Sequence, residues 1–110
     1  MNLNLEKINE FSVLTIHDER IDAHNSAELK EYILQMIEGG ESHIIIQLEH
    51  VRFIDSSGLG ALLFGHKHMV AKSGQFALAN IQQQVLSMFE LTRLTRVFEI
   101  YTDISEVITN

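Results

Sequence analysis

Asp55-Ser56-Ser57-Gly58-Leu59-Gly60 stands between an apolar strand pattern ending at Ile54 and a helical pattern that starts at Leu59. A strand running into a serine-glycine turn sets two hydroxyls beside the unpaired backbone N–H groups of a helix N-terminus, where an anion or a phosphoryl group is electrostatically favoured. The same residues also suit a plain helix cap, since Asp and Ser are preferred N-caps and Gly58 eases the change of backbone direction. Gly58, Gly60 and Gly65 all fall in or beside this one helix, and each interior glycine costs about 1 kcal/mol relative to alanine. Close approach of another backbone, from the underlying sheet or from a docking partner, would offset that cost.

Working outward, Leu59, Leu62, Leu63, His66, Met69 and Val70 fall on one helical face, and the pattern ends at Ser73-Gly74. Upstream, His43 to Leu48 is a short, nearly continuous apolar run rich in β-branched residues, the mark of a strand covered on both faces and lying mid-sheet. From Asn25 or Ser26 as N-cap, Leu29, Tyr32, Ile33, Met36 and Ile37 recur at helical spacing, and Gly39 closes that helix. Alternation in Leu3 to Ile8 and Phe11 to Ile16, with Asn9-Glu10 between them, predicts an antiparallel hairpin at a sheet edge.

Downstream, Gln75 to Ala79 reads as a strand and Ile81 to Leu91 as a helix. Arg96 to Tyr101 then reads as a last strand and Ile104 to Ile108 as a short terminal helix. The alternation predicts an α/β fold: a mixed central sheet of about five strands with the N-terminal antiparallel hairpin, packed with about four helices. No proline, repeat or low-complexity stretch divides the chain, so residues 1–110 are expected to form a single domain.

Composition excludes several functions. A net charge of −7 with no basic stripe argues against nucleic acid as a direct partner. Without cysteine there is no disulfide, thiolate metal site or thiol nucleophile. Apolar runs such as Ile44-Ile45-Ile46 are far too short for a bilayer span and no signal peptide is recognisable, so no membrane insertion and a cytoplasmic location are expected. His66 and His68 lie two apart on a helix and point to different faces, while His17, His24, His43 and His50 are scattered, so no metal site is expected. Ser57 lacks a G-x-S-x-G frame and no Walker or G-x-G-x-x-G motif is present; neither catalysis nor a cofactor is expected.

Three- and four-residue steps along the helix from Ser57 reach Gly60 and Ala61, then Phe64 and Gly65, then His68. This row is expected to lie off the core face and to offer a small-residue shelf with one aromatic, as a docking surface would. Packing of Phe64 against a neighbouring helix is the competing expectation.

The stretch Val51-Arg52-Phe53-Ile54-Asp55-Ser56-Ser57-Gly58-Leu59-Gly60-Ala61-Leu62 resembles the phosphorylation motif of the bacterial anti-sigma factor antagonists, which are single-domain STAS proteins. Ile21-Asp22-Ala23-His24-Asn25-Ser26-Ala27-Glu28-Leu29 resembles that family's loop and first helix, and Leu78-Ala79-Asn80 and Val97-Phe98-Glu99-Ile100-Tyr101 resemble its later strands. The resemblance implies a single STAS-type domain that is not an enzyme and works by partner switching. Unphosphorylated, such a protein binds an anti-sigma factor, typically a serine kinase of histidine-kinase-like ATPase fold, and the client is released. Phosphorylation by that kinase breaks the complex, and a metal-dependent PP2C-type phosphatase restores binding.

The second serine of the motif maps to Ser57, with Ser56 the weaker candidate. The implied partner-binding residues are Asp22, Asn25, Asp55, Ser56, Gly58, Gly60, Ala61, Phe64 and His68. A monomer entering transient complexes is expected. Free N–H groups after Ser57 are expected to tolerate the phosphate, so its effect should be local: new charge and bulk facing the kinase, strengthened by Asp55. Asp55 either orients a serine hydroxyl or simply caps the helix. Two positions depart from the family pattern: Arg20, where a glycine commonly precedes the hydrophobic-Asp pair, and Gln47, where the central strand usually carries an aspartate. The alternative function is a STAS-fold structural subunit of a transporter or signalling scaffold whose serine is never modified.

Overall fold

Asn9 takes a left-handed φ of 55°, a conformation that asparagine tolerates better than most residues. The two alternating segments therefore fold back as β1 (Leu3–Ile8) and β2 (Phe11–Ile16), antiparallel, with Leu3 opposite Ile16 and Ile8 opposite Phe11. This computed structural model describes residues 1–108. The chain continues through β3 (Arg20–Ile21), α1 (Ser26–Glu38), β4 (His43–Gln47), β5 (Phe53–Ile54) and α2 (Ser56–Ala71). It ends with β6 (Gln75–Ala79), α3 (Gln83–Leu91), a 3₁₀ turn (Leu94–Arg96), β7 (Glu99–Tyr101) and α4 (Ser105–Ile108).

The main sheet has the order β1-β2-β4-β6-β7. Only β1 runs antiparallel to its neighbour, while β2, β4, β6 and β7 pair in parallel. The hairpin thus forms one edge and β4 lies in the middle, where Ile44, Ile45, Ile46 and Leu48 are all fully buried. Alternation divides them. Ile44 and Ile46 join Leu14, Phe76 and Leu78 in the core beneath the helices, whereas Ile45 joins Phe11, Val13, Ala77 and Ala79 on the other face, against Ile104, Val107 and Ile108 of the C-terminal segment.

Helix α1 buries Leu29, Ile33, Met36 and Ile37 in the main core. The buried face of α2 keeps Leu59, Leu62 and Met69 of the residues expected there and replaces the others. It comprises Gly58, Leu59, Ala61, Leu62, Gly65 and Met69, while Leu63 and His66 are half-buried and Val70 is 59% exposed. Close packing decides this rotation. A methyl group on Gly65 would sit 2.7 Å from the Phe76 ring and 2.9 Å from Ile33 Cγ2, so sheet and α1 approach α2 closely at this small residue.

The last strand is also shorter than Arg96 to Tyr101. Arg93 adopts a left-handed φ of 61° and Leu94–Arg96 form the 3₁₀ turn. Phe98 is thereby delivered into a cluster with Phe76, Phe89 and His66 before the chain joins the sheet at Glu99. Helix α3 starts at Gln83 rather than Ile81, because Asn80 is left-handed at φ 57° and Gln82 is extended.

A second, two-residue parallel ladder was not legible in the sequence. Arg20 pairs with Phe53 and Ile21 with Ile54, supported by bonds from Arg52 N–H and Phe53 N–H to Glu19 O and from Asp55 N–H to Ile21 O. This ladder sets the Asp22–Asn25 loop beside the start of α2.

Candidate functional site

Asp55 leaves the short β5 in extended conformation, at φ −107° and ψ −174°, and becomes the N-cap of α2. Its Oδ1 accepts three hydrogen bonds, from Ser57 N–H at 2.9 Å, Gly58 N–H at 3.0 Å and the Ser57 hydroxyl at 2.6 Å. The Ser57 hydroxyl, followed by the Gly58 N–H, holds the Asp55 carboxyl below the usual carboxylate range. Asp55 therefore both caps the helix and orients a serine hydroxyl; the two expectations describe one arrangement.

Another expectation fails here. The N–H groups of Ser57 and Gly58 are already committed to Asp55 Oδ1, and Leu59 N–H donates to Asp55 O. A phosphate on Ser57 cannot draw on free N–H groups after that residue, because the cap has used them.

The two serines open onto different concavities. Ser57 is half-buried in a groove of about 320 Å³ between α1 and α2, lined by Ser26, Ala27, Lys30, Ser57, Gly60 and Ala61. Ser56 is exposed and borders a more apolar hollow of about 450 Å³ on the other side of Asp55, with Phe53, Gln84 and Met88 among its walls. Arg20, one of the two departures from the family pattern, lays its guanidinium 4.1 Å above the Phe53 ring near that hollow and places Nε 3.5 Å from Asp22 Oδ2.

The remaining candidates divide by burial. Gly60 is exposed, and a methyl group there would meet nothing within 4 Å. Phe64 is half-buried, with Lys30 Nζ 4.6 Å from its ring centre and the exposed His68 ring 4.0 Å away; His68 Nδ1 also lies 3.0 Å from Phe64 O. Gly58 and Ala61 are buried, as is Gly65 in the same row, so the row is not wholly off the core face. A methyl group on Gly58 would come within 2.8 Å of Ile21 O and 2.6 Å of Ile54 Cγ1, so this glycine admits the small ladder beneath it.

Asp22 and Asn25 shape the neighbouring loop. Asn25 Oδ1 accepts from Asp22 N–H at 2.9 Å and its Nδ2 donates to Arg20 O at 2.8 Å, so it braces the loop and makes no side-chain cap bond to α1. Asp22 Oδ1 accepts from His24 N–H at 3.0 Å. Gln47, the other departure, is buried: Nε2 donates to Asn80 Oδ1 at 3.0 Å and Oε1 accepts from Glu49 N–H at 3.2 Å. It braces the end of the central strand. Lys30, Ser26 and Ala27 join the site only in three dimensions, since nothing in the spacing of α1 says which of its sides will face α2.

This strand-cap-helix turn belongs to a mixed sheet packed, among the described residues, with four α-helices. The sequence profile of the STAS domain aligns with residues 2–107. The chain belongs to the STAS domain family. Among this STAS domain's curated relatives is the anti-sigma F factor antagonist of Paenibacillus polymyxa, 28% identical over 103 residues that cover 92% of this chain and 88% of that protein. An anti-sigma-factor antagonist (STAS) domain protein from Planctomyces limnophilus superposes with a TM-score of 0.87 at 20% identity, covering 97% of this chain and 95% of its own. The Bacillus cell fate determinant SpoIIAA in its phosphorylated form superposes with a TM-score of 0.73 at 24% identity, covering 96% of both chains. The STAS domain sits by sequence with the anti-sigma factor antagonists, and no helix among its described residues is long and apolar enough to cross a membrane.

Proposed function

We propose that this STAS domain is a phosphorylation-controlled anti-sigma factor antagonist. In its unphosphorylated state it binds an anti-sigma factor that is itself a serine kinase of histidine-kinase-like ATPase fold, and so frees that factor's client. Phosphorylation of Ser57 ends the complex, and a PP2C-type phosphatase renews it. The observation that carries this reading is the Ser57 hydroxyl, held 2.6 Å from Asp55 Oδ1 at the rim of a groove. The relatives' shared designation as antagonists and the existence of a phosphorylated form of a protein of the same fold support it.

The chemistry is a phosphoryl transfer performed by the partner. Ser57 Oγ attacks the γ-phosphorus of ATP bound to the kinase, the bond to the ADP leaving oxygen breaks, and the hydroxyl proton passes to a base. Asp55 is a poor proton sink because its carboxyl is held below the ordinary range; it aims the hydroxyl, and the kinase supplies the base. Ser56, Gly60 and His68, with the half-buried Phe64, form the contact surface, while Asp22 and Asn25 shape the adjoining loop. Gly58 and Ala61 act from beneath by letting the ladder and α1 approach.

Gly60 gives independent support. Among the described residues nothing compensates its helix-weakening cost, since a methyl group there would meet no atom within 4 Å. Close approach of a partner's backbone accounts for it. The test is to incubate the protein with a serine kinase encoded beside it and ATP. Label on the wild type and on Ser56→Ala but not on Ser57→Ala is the expected result; equal labelling of wild type and Ser57→Ala overturns the site.

A further inference from the structure

The groove beside Ser57 carries one cation on its wall, Lys30 of α1. Its ammonium lies 4.6 Å from the centre of the Phe64 ring. Lys30 therefore touches two features at once: the modified residue's groove and the aromatic of the contact surface.

A phosphoester on Ser57 meets an unusual helix start. The N–H groups of Ser57 and Gly58 are held by Asp55, so the helix N-terminus offers the phosphate little of its customary welcome. Phosphorylation also removes the hydroxyl proton that Asp55 accepts. A hydrogen bond is replaced by two anions in contact, and repulsion turns the phosphate from Asp55 into the groove. Ser26, Ala27, Gly60 and Ala61 bring no charge there, which leaves Lys30 as the compensating group.

We propose that Lys30 is the counter-ion of phosphorylated Ser57 and that it leaves the Phe64 ring to reach the phosphate. A charge-assisted bond to a phosphate outweighs a cation–π contact at an exposed ring. Modification at Ser57 then alters the contact surface in two places: new negative charge at the rim and an uncovered aromatic one turn beyond Gly60. This inference rests on the reading of Ser57 as the phosphorylated residue.

The experiment avoids the kinase. Phosphoserine is installed at position 57 of the full chain by genetic encoding, and the phosphate is titrated by ³¹P NMR in the wild type, Lys30→Arg and Lys30→Met. Lys30 lines the groove with Ser57, and the titratable groups on the elements around it are Asp55, His68 beyond Phe64, and Asp22 and His24 of the adjoining loop; only Lys30 changes across the series. The second ionisation is expected to rise by about half a unit in Lys30→Met and to stay near the wild-type value in Lys30→Arg. In the wild type, the Lys30 Cε protons are expected to lose the ring-current shift of Phe64 when the phosphate is present. Identical titrations in wild type and Lys30→Met, or Lys30 signals unmoved by the phosphate, overturn the proposal. A kinase that labels Ser57 alongside a titration indifferent to Lys30 keeps the switch and removes Lys30 from it. A Lys30-dependent titration in a chain that no kinase labels keeps the ion pair and removes the regulatory reading.

Discussion

Asp55 Oδ1 accepts the Ser57 hydroxyl at 2.6 Å while holding the N–H groups of Ser57 and Gly58. One oxygen thus fixes both the start of the helix and the direction of the hydroxyl.

Asp55→Asn is expected to damage both. The cap weakens, because an amide oxygen is a poorer acceptor than a carboxylate, and labelling of Ser57 slows. The pH dependence has a definite sign. With the native carboxyl below its ordinary value of 3.8, the charged cap contributes stability above the unfolded value and loses it as pH falls through the native one. The gap in urea midpoint between wild type and Asp55→Asn should therefore be full near neutrality and narrow progressively as pH falls below 3.8. A gap that does not narrow as the pH is lowered would show that the carboxylate charge plays no part.

Gly58 and Gly60 should respond in opposite directions to alanine. A methyl group at position 58 meets Ile21 O at 2.8 Å and Ile54 Cγ1 at 2.6 Å, and overpacking of this kind costs about 1–3 kcal/mol. At position 60 it meets nothing, and Gly60→Ala should stabilise the helix by about 0.5–1 kcal/mol. Chemical denaturation measures both. Gly60→Ala should also weaken kinase binding, and a stabilised protein that binds unchanged would remove Gly60 from the interface.

Phe64→Ala should separate binding from stability. Half-buried and covered by Lys30 on one side, Phe64 contributes a cation–π contact of about 0.5–1 kcal/mol at an exposed site. We expect weaker kinase binding by calorimetry with a nearly unchanged thermal midpoint. A large loss of stability with intact binding would assign Phe64 to the core instead.

Asn80 ties the central strand to the C-terminal helix. Its Oδ1 accepts from Gln47 Nε2 at 3.0 Å and from Ile104 N–H at 2.9 Å, while its own φ is 57°. Asn80→Ala should cost about 1–3 kcal/mol, through unpaired polar groups and a strained backbone. Asn80→Gly relieves the strain alone, so its stability should fall between the other two. Equal stability of Asn80→Ala and wild type in urea would show that the bonds contribute nothing.

Strong periodicity was readable directly. The hairpin from Leu3 to Ile16, the buried strand at Ile44–Ile46 and the existence of each helix follow from alternation, apolar runs and helical spacing, which are local properties of the chain. The Arg20–Ile21 and Phe53–Ile54 ladder was not readable, because two residues carry no period and their pairing depends on a distant segment. The rotation of α2 escaped for a related reason. Its spacing places Leu63, His66 and Val70 beside Leu59, Leu62 and Met69 on the core face; the last three are buried there, but close approach of Phe76 and Ile33 at Gly65 brings Gly58, Ala61 and Gly65 inward in place of the first three. Phe98 likewise shortens the last strand by seeking the core before the sheet.

The α/β order and the capped serine turn are written along the chain, since propensity, capping and periodicity act between near neighbours. Tertiary structure decided which donors Asp55 holds, which glycines are filled space and which are open, and that Lys30 shares a groove with Ser57. Those relations join residues brought together only when helices settle on a sheet, and their distances are set by packing rather than by position in the chain.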